Sequence, residues 1–205
     1  MTKKKQAAKR ASRRPLQLSS DQAQAEDWRR ELKYGSDRSI CIIAVANLEA
    51  WLADLICTKF AYSDVDTLDR LYRPEGPLST FSCKIELAYA MGLISDEDRL
   101  ELNKIKNIRN DFAHNTSIIT FETQAIKELC LTLKFGGTPA KGITPAMIDK
   151  MKDHSSSRFY FIHTVTHFQI ELIKAIGKEQ GKTLRSLKRK QANRTAAAEK
   201  ENPRA

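Results

Sequence analysis

The stretch from residue 36 to residue 60 constrains the fold more than any other part of the chain. Its apolar side chains would cover most of the circumference of a helix: Ile40, Ile43, Ala44, Leu48, Trp51, Leu52, Leu55 and Ile56. A helix that is apolar on most of its sides has to be surrounded by other elements. We therefore expect this segment to form the core helix of the protein.

The remainder of the chain has the same helical character. Glycine and proline account for only 8 and 6 of the 205 residues, and apolar residues recur at helical rather than alternating spacing. The sequence predicts an all-α fold, a single compact bundle of six or seven helices, over residues 19–178. Residues 1–18 and 179–205 are predicted to be disordered basic tails. No run approaches the roughly 20 apolar residues that span a bilayer, so no membrane contact is expected.

The cysteines and histidines indicate neither a disulfide framework nor a metal site. The four cysteines are dispersed, without a CxxC pair, at positions 41, 57, 83 and 130. This pattern favours reduced, buried thiols and a cytoplasmic location. His163, His167 and Glu171 follow four residues apart, but they lack the HExxH arrangement, and interfacial histidines are the favoured interpretation. No metal and no cofactor is expected.

The positive charge is concentrated at the two ends of the chain. The net charge of +10 divides into +7 for residues 1–14 and +6 for residues 178–205, leaving −3 for residues 15–177. The ends could bind nucleic acid through its phosphates, without sequence preference and with strong salt dependence. Alternatively, they only increase solubility. The candidate cations are Lys3, Lys4, Lys5, Lys9, Arg10, Arg13, Arg14, Arg185, Lys188, Arg189 and Lys190.

A second helix is predicted over residues 95–115, and its first turn is acidic. Ser95 and Asp98 have the spacing of a capping box, and Asp96 and Glu97 lie between them. Although residues 84–101 superficially resemble a helix-turn-helix, a recognition helix needs donors and positive charge toward DNA. The acidic start argues against a DNA-reading motif here.

Arg109 lies within the apolar stripe of this helix and therefore needs a partner. The stripe consists of Leu102, Ile105, Ile108 and Phe112. Because an unpaired buried charge is very costly, we expect Arg109 to form an ion pair. Glu49 is the candidate counter-charge to Arg109 or Arg38, with Asp37 in the same charge network. The alternative, that Glu49 faces water, stays open.

Arg109 and His114 also suggest a catalytic pair. On a continuous helix five residues separate them by about 140°, so they would meet only if the helix ends near Ala113 with Asn115 as a left-handed cap. An arginine and a titratable imidazole could cleave a phosphodiester without a metal. In the structural alternative Arg109 pairs with a carboxylate and His114 bonds to the last helical carbonyls.

Three segments resemble the mannitol operon repressor (MltR-like) family. They are SDRS at 36–39, GPLSTFSCKIELAYAMGLIS at 76–95 and IKNIRNDFAH at 105–114. The resemblance covers about residues 36–135. It implies a compact, all-helical bacterial protein that negatively regulates a carbohydrate operon, of the mannitol type, without an ordinary DNA-binding motif. Action through a protein partner, such as a transcription factor, or through the basic tails would follow.

The segment RNDFAH at 109–114 is also similar to the R-x4–6-H motif of HEPN-domain proteins. That similarity implies a possible homodimer that cleaves RNA. Arg109 would stabilise the phosphate, His114 would act as the acid/base, and Asn110 would orient them. Two hypotheses therefore stand beside a purely structural scaffold: a non-catalytic transcriptional regulator, and a toxin-like, metal-independent endoribonuclease.

Overall fold

The computed structural model describes residues 30, 31, 34–134 and 156–201, with side chains in the last helix described for 157–182 and 185. Six helices follow in order: α1 Asp37–Cys57, α2 Val65–Tyr72, α3 Phe81–Ala90, α4 Asp96–His114, α5 Gln124–Leu131 and α6 Ser156–Glu201. This part of the chain contains no strand, so the predicted all-α fold is confirmed.

Helix α1 is the core helix, as its sequence predicts. Eight of its residues are buried, and it packs against α3, α4 and α6. The amide of Gln169 on α6 donates to the carbonyl of Ala44 at 3.1 Å, which anchors the two helices side by side. By length and composition α1 is also the one described helix that could cross a membrane. Its packing on three sides explains the apolar composition as that of a core helix.

The centre of the core joins α4, the loop at 115–123 and α6 through three phenylalanines. The ring centroids of Phe112 and Phe121 are 4.9 Å apart, and those of Phe121 and Phe161 are 5.2 Å apart. All three side chains are fully buried. Burying each such side chain stabilises the fold by about 1.5–3 kcal/mol, so the loop at 115–123 is held in place by its own aromatic residue.

Helix α4 begins at the predicted capping box. The hydroxyl of Ser95 accepts from the Asp98 N–H at 3.1 Å, and Asp98 Oδ2 accepts from the Ser95 N–H at 3.0 Å. The predicted apolar stripe is buried: Leu102, Ile105, Ile108 and Phe112.

Helix α6 is much longer than predicted. It continues for 46 residues to Glu201, whereas the sequence analysis placed a disordered tail from residue 179. The segment 178–201 consists largely of lysine, arginine, alanine, glutamine and glutamate and contains no proline, and these residue types favour helix. The predicted tail at 1–18 lies outside the described residues.

The cysteine prediction is confirmed for two of four positions. All four thiols are free; Cys41 and Cys130 are buried, Cys57 is half-buried and Cys83 is exposed. Burial raises the pKa of Cys130 to about 12 and that of Cys41 further still.

Candidate functional site at the end of α4

Arg109 is a half-buried cation whose hydrogen-bond partner is an amide. Its Nη1 donates to Asn110 Oδ1 at 3.1 Å, and the ion pairs among the described residues do not include it. Its charge reaches Cys41 on α1, where it opposes the rise in the thiol pKa caused by burial. The expected ion pair between Arg109 and a carboxylate is therefore not formed in the described part of the chain, and the amide dipole of Asn110 takes its place.

Glu49 pairs with a lysine instead of with Arg109 or Arg38. Glu49 Oε1 accepts from Lys84 Nζ on α3, and Lys84 is only 7% exposed. The same ammonium lies 5.8 Å from the ring centroid of Tyr72, close enough for a cation–π contact. The pair joins α1 to α3, so Glu49, whose side chain is 21% exposed, does not belong to the site at the end of α4.

Asp37 and Arg38, which the sequence analysis placed in one network with Glu49 and Arg109, hold the loop that follows α4. Arg38 Nη2 donates to the carbonyls of Asn115 at 2.8 Å and Ser117 at 2.9 Å. Asp37 Oδ2 accepts from the Phe121 N–H at 2.9 Å. The first turn of α1 thus forms hydrogen bonds with both ends of the segment 115–121.

The first turn of α6 adds two further hydrogen bonds to this arrangement. Arg158 Nη1 donates to Asp37 Oδ1 at 2.8 Å, and the buried hydroxyl of Ser157 donates to the Phe121 carbonyl at 2.8 Å. We call these four residues, Asp37, Arg38, Ser157 and Arg158, the clamp. The clamp satisfies the carbonyls of Asn115, Ser117 and Phe121 and the Phe121 N–H, which lie outside any helix or strand, while Arg158 holds Asp37 in place.

His114 is the last residue of α4 and is exposed. The condition under which Arg109 and His114 would meet, a helix that ends near Ala113 with a left-handed Asn115, is not fulfilled, because α4 includes His114 and Asn115 has φ −72° and ψ 125°. Arg109 and His114 therefore lie on one continuous helix, about 140° apart around its axis. Within one chain the two side chains diverge.

The segment bound by the clamp exposes one apolar side chain, that of Ile118, to solvent. Ile118 is 95% exposed, more than any other large hydrophobic residue described, and it directly follows Ser117, whose carbonyl Arg38 binds. Asn115 Oδ1 accepts from the Ser117 N–H at 3.0 Å, which tightens the turn before it. We call Arg38, His114, Ser117 and Ile118 the α4-exit surface. It combines a fixed backbone, a cation, an imidazole and an apolar tip.

Three residues of these arrangements escaped the sequence analysis. Lys84 lies three residues after Phe81 and four before Ala88, so its spacing already placed a lysine on a buried face and could have revealed the partner of Glu49. Ser157 and Arg158 begin α6 just before its apolar stripe. No local pattern indicates that Ser157 binds the Phe121 carbonyl or that Arg158 pairs with Asp37 on α1.

The basic residues predicted to bind nucleic acid divide into two groups. Arg185 is exposed on α6, and Lys188, Arg189 and Lys190 lie farther along the same helical backbone. The cations of residues 1–14 lie outside the described residues. Within the described part of the chain, no group of three histidine, cysteine or acidic side chains is arranged to hold a metal ion.

The architecture defines an all-α bundle with a clamped, exposed loop at one end and a long basic helix leaving the other. Neither a protein-family model nor a curated protein matches the chain. Among solved structures, the chain is similar to MtlR in the MtlR–HPr complex from Escherichia coli, with 20% sequence identity and a TM-score of 0.47. The match covers 75% of this chain and 96% of the MtlR chain.

Proposed function

We propose that this protein is a bacterial regulator of the MltR-like type, a cytoplasmic negative regulator of transcription that acts through a protein partner. The observation that carries this proposal is the α4-exit surface. A loop bound by the side chains of Asp37, Arg38 and Ser157, from two helices, presents Ile118 at 95% exposure. A pre-organised apolar tip loses little conformational freedom on binding, which is a property of protein-binding sites.

The acidic start of α4 supports a partner-dependent mechanism over direct DNA reading. Asp98 is engaged in the capping box, and Asp96 Oδ1 accepts from Arg99 at 2.7 Å. Both carboxylates lie at the end of α4 that a recognition helix would direct toward DNA. A protein partner would therefore supply the sequence specificity.

One test of the partner site uses a strain that lacks the gene. We expect the wild-type gene to restore repression of a carbohydrate operon, measured as transcript level, and Ile118→Asp to fail. Leu131→Asp is the matched control, since Leu131 is 47% exposed on α5, away from the clamped loop. Full complementation by Ile118→Asp, at equal protein level, would contradict the proposed site.

A direct binding measurement identifies a first partner. HPr is the protein with which the similar MtlR chain was crystallised, so HPr from the same bacterium is a reasonable first ligand for calorimetry. We expect Ile118→Asp to weaken binding at least about tenfold, which corresponds to about 1.4 kcal/mol, while Leu131→Asp leaves it unchanged. Equal affinities for the two variants would exclude the α4-exit surface as the HPr site.

The basic segments have an auxiliary role in this proposal, as non-specific contacts to nucleic acid. Removing residues 1–14 and 183–205 retains Glu179 and Lys182, the last described ion pair of α6. We expect the truncated protein to show a flatter dependence of DNA affinity on salt, because fewer phosphates are neutralised. An unchanged slope would show that these segments do not contact DNA.

A second candidate function is the HEPN-type endoribonuclease, favoured by the hydrogen bond between Arg109 and Asn110. In that mechanism Asn110 orients Arg109 toward a phosphate, and His114 would act with Arg109 across a dimer. Purified protein is incubated with RNA in EDTA, and fragments with 2′,3′-cyclic phosphate ends are sought. Cleavage lost in His114→Ala but retained in His163→Ala would support the enzyme. No cleavage by the folded wild type would exclude it.

A further inference from the structure

The distal part of α6 extends beyond the bundle. At about 1.5 Å per residue, its 46 residues span roughly 69 Å, about twice the length of the 21-residue α1 beside it. Among its described side chains, Ile176 is the last buried apolar residue, and the Lys59–Glu179 pair is the last polar contact with another helix or loop. Helices of this composition are marginal in water unless an apolar face is packed. We therefore expect the extension to pack against a partner.

A second stripe runs along α6, on a different face from the one that enters the core. Its members alternate at spacings of four and three: Thr166, Ile170, Ile173, Gly177, Gln180, Leu184, Leu187 and Gln191. Ile170 and Ile173 are 46% and 38% exposed, and a Cβ at Gly177 would meet open space. Alternation of four and three is the register of a two-helix seam. The stripe crosses from the bundle into the extension without interruption.

We propose that a second copy of this chain packs antiparallel along this stripe, with the twofold axis between Lys178 and Glu179. Reversing the stripe about that point places Ile170 opposite Leu187 of the second copy and Ile173 opposite its Leu184. Gly177 then lies opposite Gln180, where the missing side chain lets the two helices approach closely. Each contact occurs twice, as a twofold dimer requires. All four apolar members of the stripe are paired in this register.

Charge favours a second copy over an unrelated helix and antiparallel over parallel pairing. Residues 182–190 carry five lysines and arginines and no acid, whereas residues 15–177 have a net charge of −3. Antiparallel pairing places this basic segment beside the bundle of the other copy and brings Arg185 next to Glu171. Parallel pairing would instead place the two basic segments side by side, which like charges disfavour.

The mass of the full chain in solution tests the dimer, with its nucleic-acid content monitored by absorbance. Sedimentation equilibrium should give twice the chain mass of 23.3 kDa for the wild type. Ile173→Glu should give the monomer mass, and Leu100→Glu, which alters a 50% exposed leucine on α4, should remain dimeric. A monomeric wild type, a dimeric Ile173→Glu, or association that requires nucleic acid would each overturn the proposal. Circular dichroism confirms that the variants are folded.

Disulfide cross-linking tests the register and does not depend on the regulatory function. Ile170→Cys and Leu187→Cys are made separately in a Cys83→Ser background, because Cys83 is the exposed native thiol. Oxidation should yield a cross-linked dimer only when the two variants are mixed. Cross-linking of either variant with itself, or no cross-link in the mixture, would overturn the antiparallel register.

Discussion

Different interactions stabilise the two ends of the bundle. At one end the clamp binds an irregular loop through directed hydrogen bonds from two helices, including the pair of Asp37 with Arg158 at 2.8 Å. At the other end α6 leaves the bundle after one exposed ion pair, Lys59 with Glu179. The stabilising polar contacts are concentrated at the clamped end, while the end where α6 leaves the bundle is available for association.

Asp37→Ala should have the largest effect on stability. It leaves the Arg158 guanidinium and the Phe121 N–H without their carboxylate acceptor in a region where Phe121 is fully buried. Hydrogen bonds to charged groups contribute about 1.5–3 kcal/mol each. Because the ion pair is partly exposed and water compensates part of the loss, we expect about 2–3 kcal/mol in urea unfolding. Glu75→Ala, at an exposed loop position, is the control. Equal stability of both variants would show that the clamp does not hold this end.

Arg38→Gln should have a smaller effect on stability and a specific effect on binding. The carbonyls of Asn115 and Ser117 lie at the surface and regain hydrogen bonds to water, so we expect a loss of about 1 kcal/mol. Release of the loop should raise hydrogen exchange at the amide of Ser117 and weaken partner binding as Ile118→Asp does. If exchange remains slow, the clamp does not depend on Arg38.

The same two ends show what the sequence can and cannot predict. Local patterns predicted the capping box of Ser95 and Asp98 and the buried face of α4, because both depend on residues within a few turns. The same patterns placed Asp37 and Arg38 at a helix start but assigned them the wrong partners. Their contacts with residues 115–121 depend on how α1 and α4 pack, and no spacing rule contains that information. The helical extension was not predicted because residues 178–201 are mostly charged or polar, a composition that resembles a solvated tail.

Asp54→Asn should increase stability near neutral pH and make stability less dependent on pH at the end where α6 leaves the bundle. Asp54 lies one turn before the end of α1, and burial raises its pKa from the ordinary 3.8 to about 6. The folded state therefore holds a proton that the unfolded state releases, and wild-type stability falls as the pH rises between these values. Because the side chain is partly exposed, we expect a gain of at most about 1 kcal/mol above pH 6.

Urea unfolding of both proteins between about pH 3 and about pH 7 checks this prediction, because this window extends about one pH unit beyond each of the two pKa values. The curve of the Asp54→Asn variant should be flatter across that window. Asp66→Asn, at an exposed position in the first turn of α2, serves as the control. Parallel curves for wild type and Asp54→Asn would show that Asp54 does not titrate differently in the folded state.

Lys59→Ala should have the smallest effect on stability. At the end where α6 leaves the bundle, it tests whether a change in the pKa of Glu179 is accompanied by a change in stability. Hydrogen bonds from Lys182 and Lys59 lower the pKa of Glu179 to about 2. Without Lys59, the pKa of Glu179 should rise toward its ordinary value of 4.5, measured by NMR titration of the carboxyl carbon, while the urea midpoint stays unchanged. Lys174→Ala, which removes the partner of Glu171 instead, should leave the Glu179 pKa unaltered. A clear loss of stability in Lys59→Ala would mean that the Lys59–Glu179 pair stabilises this end of the bundle. The two ends would then no longer differ in how strongly polar contacts stabilise them.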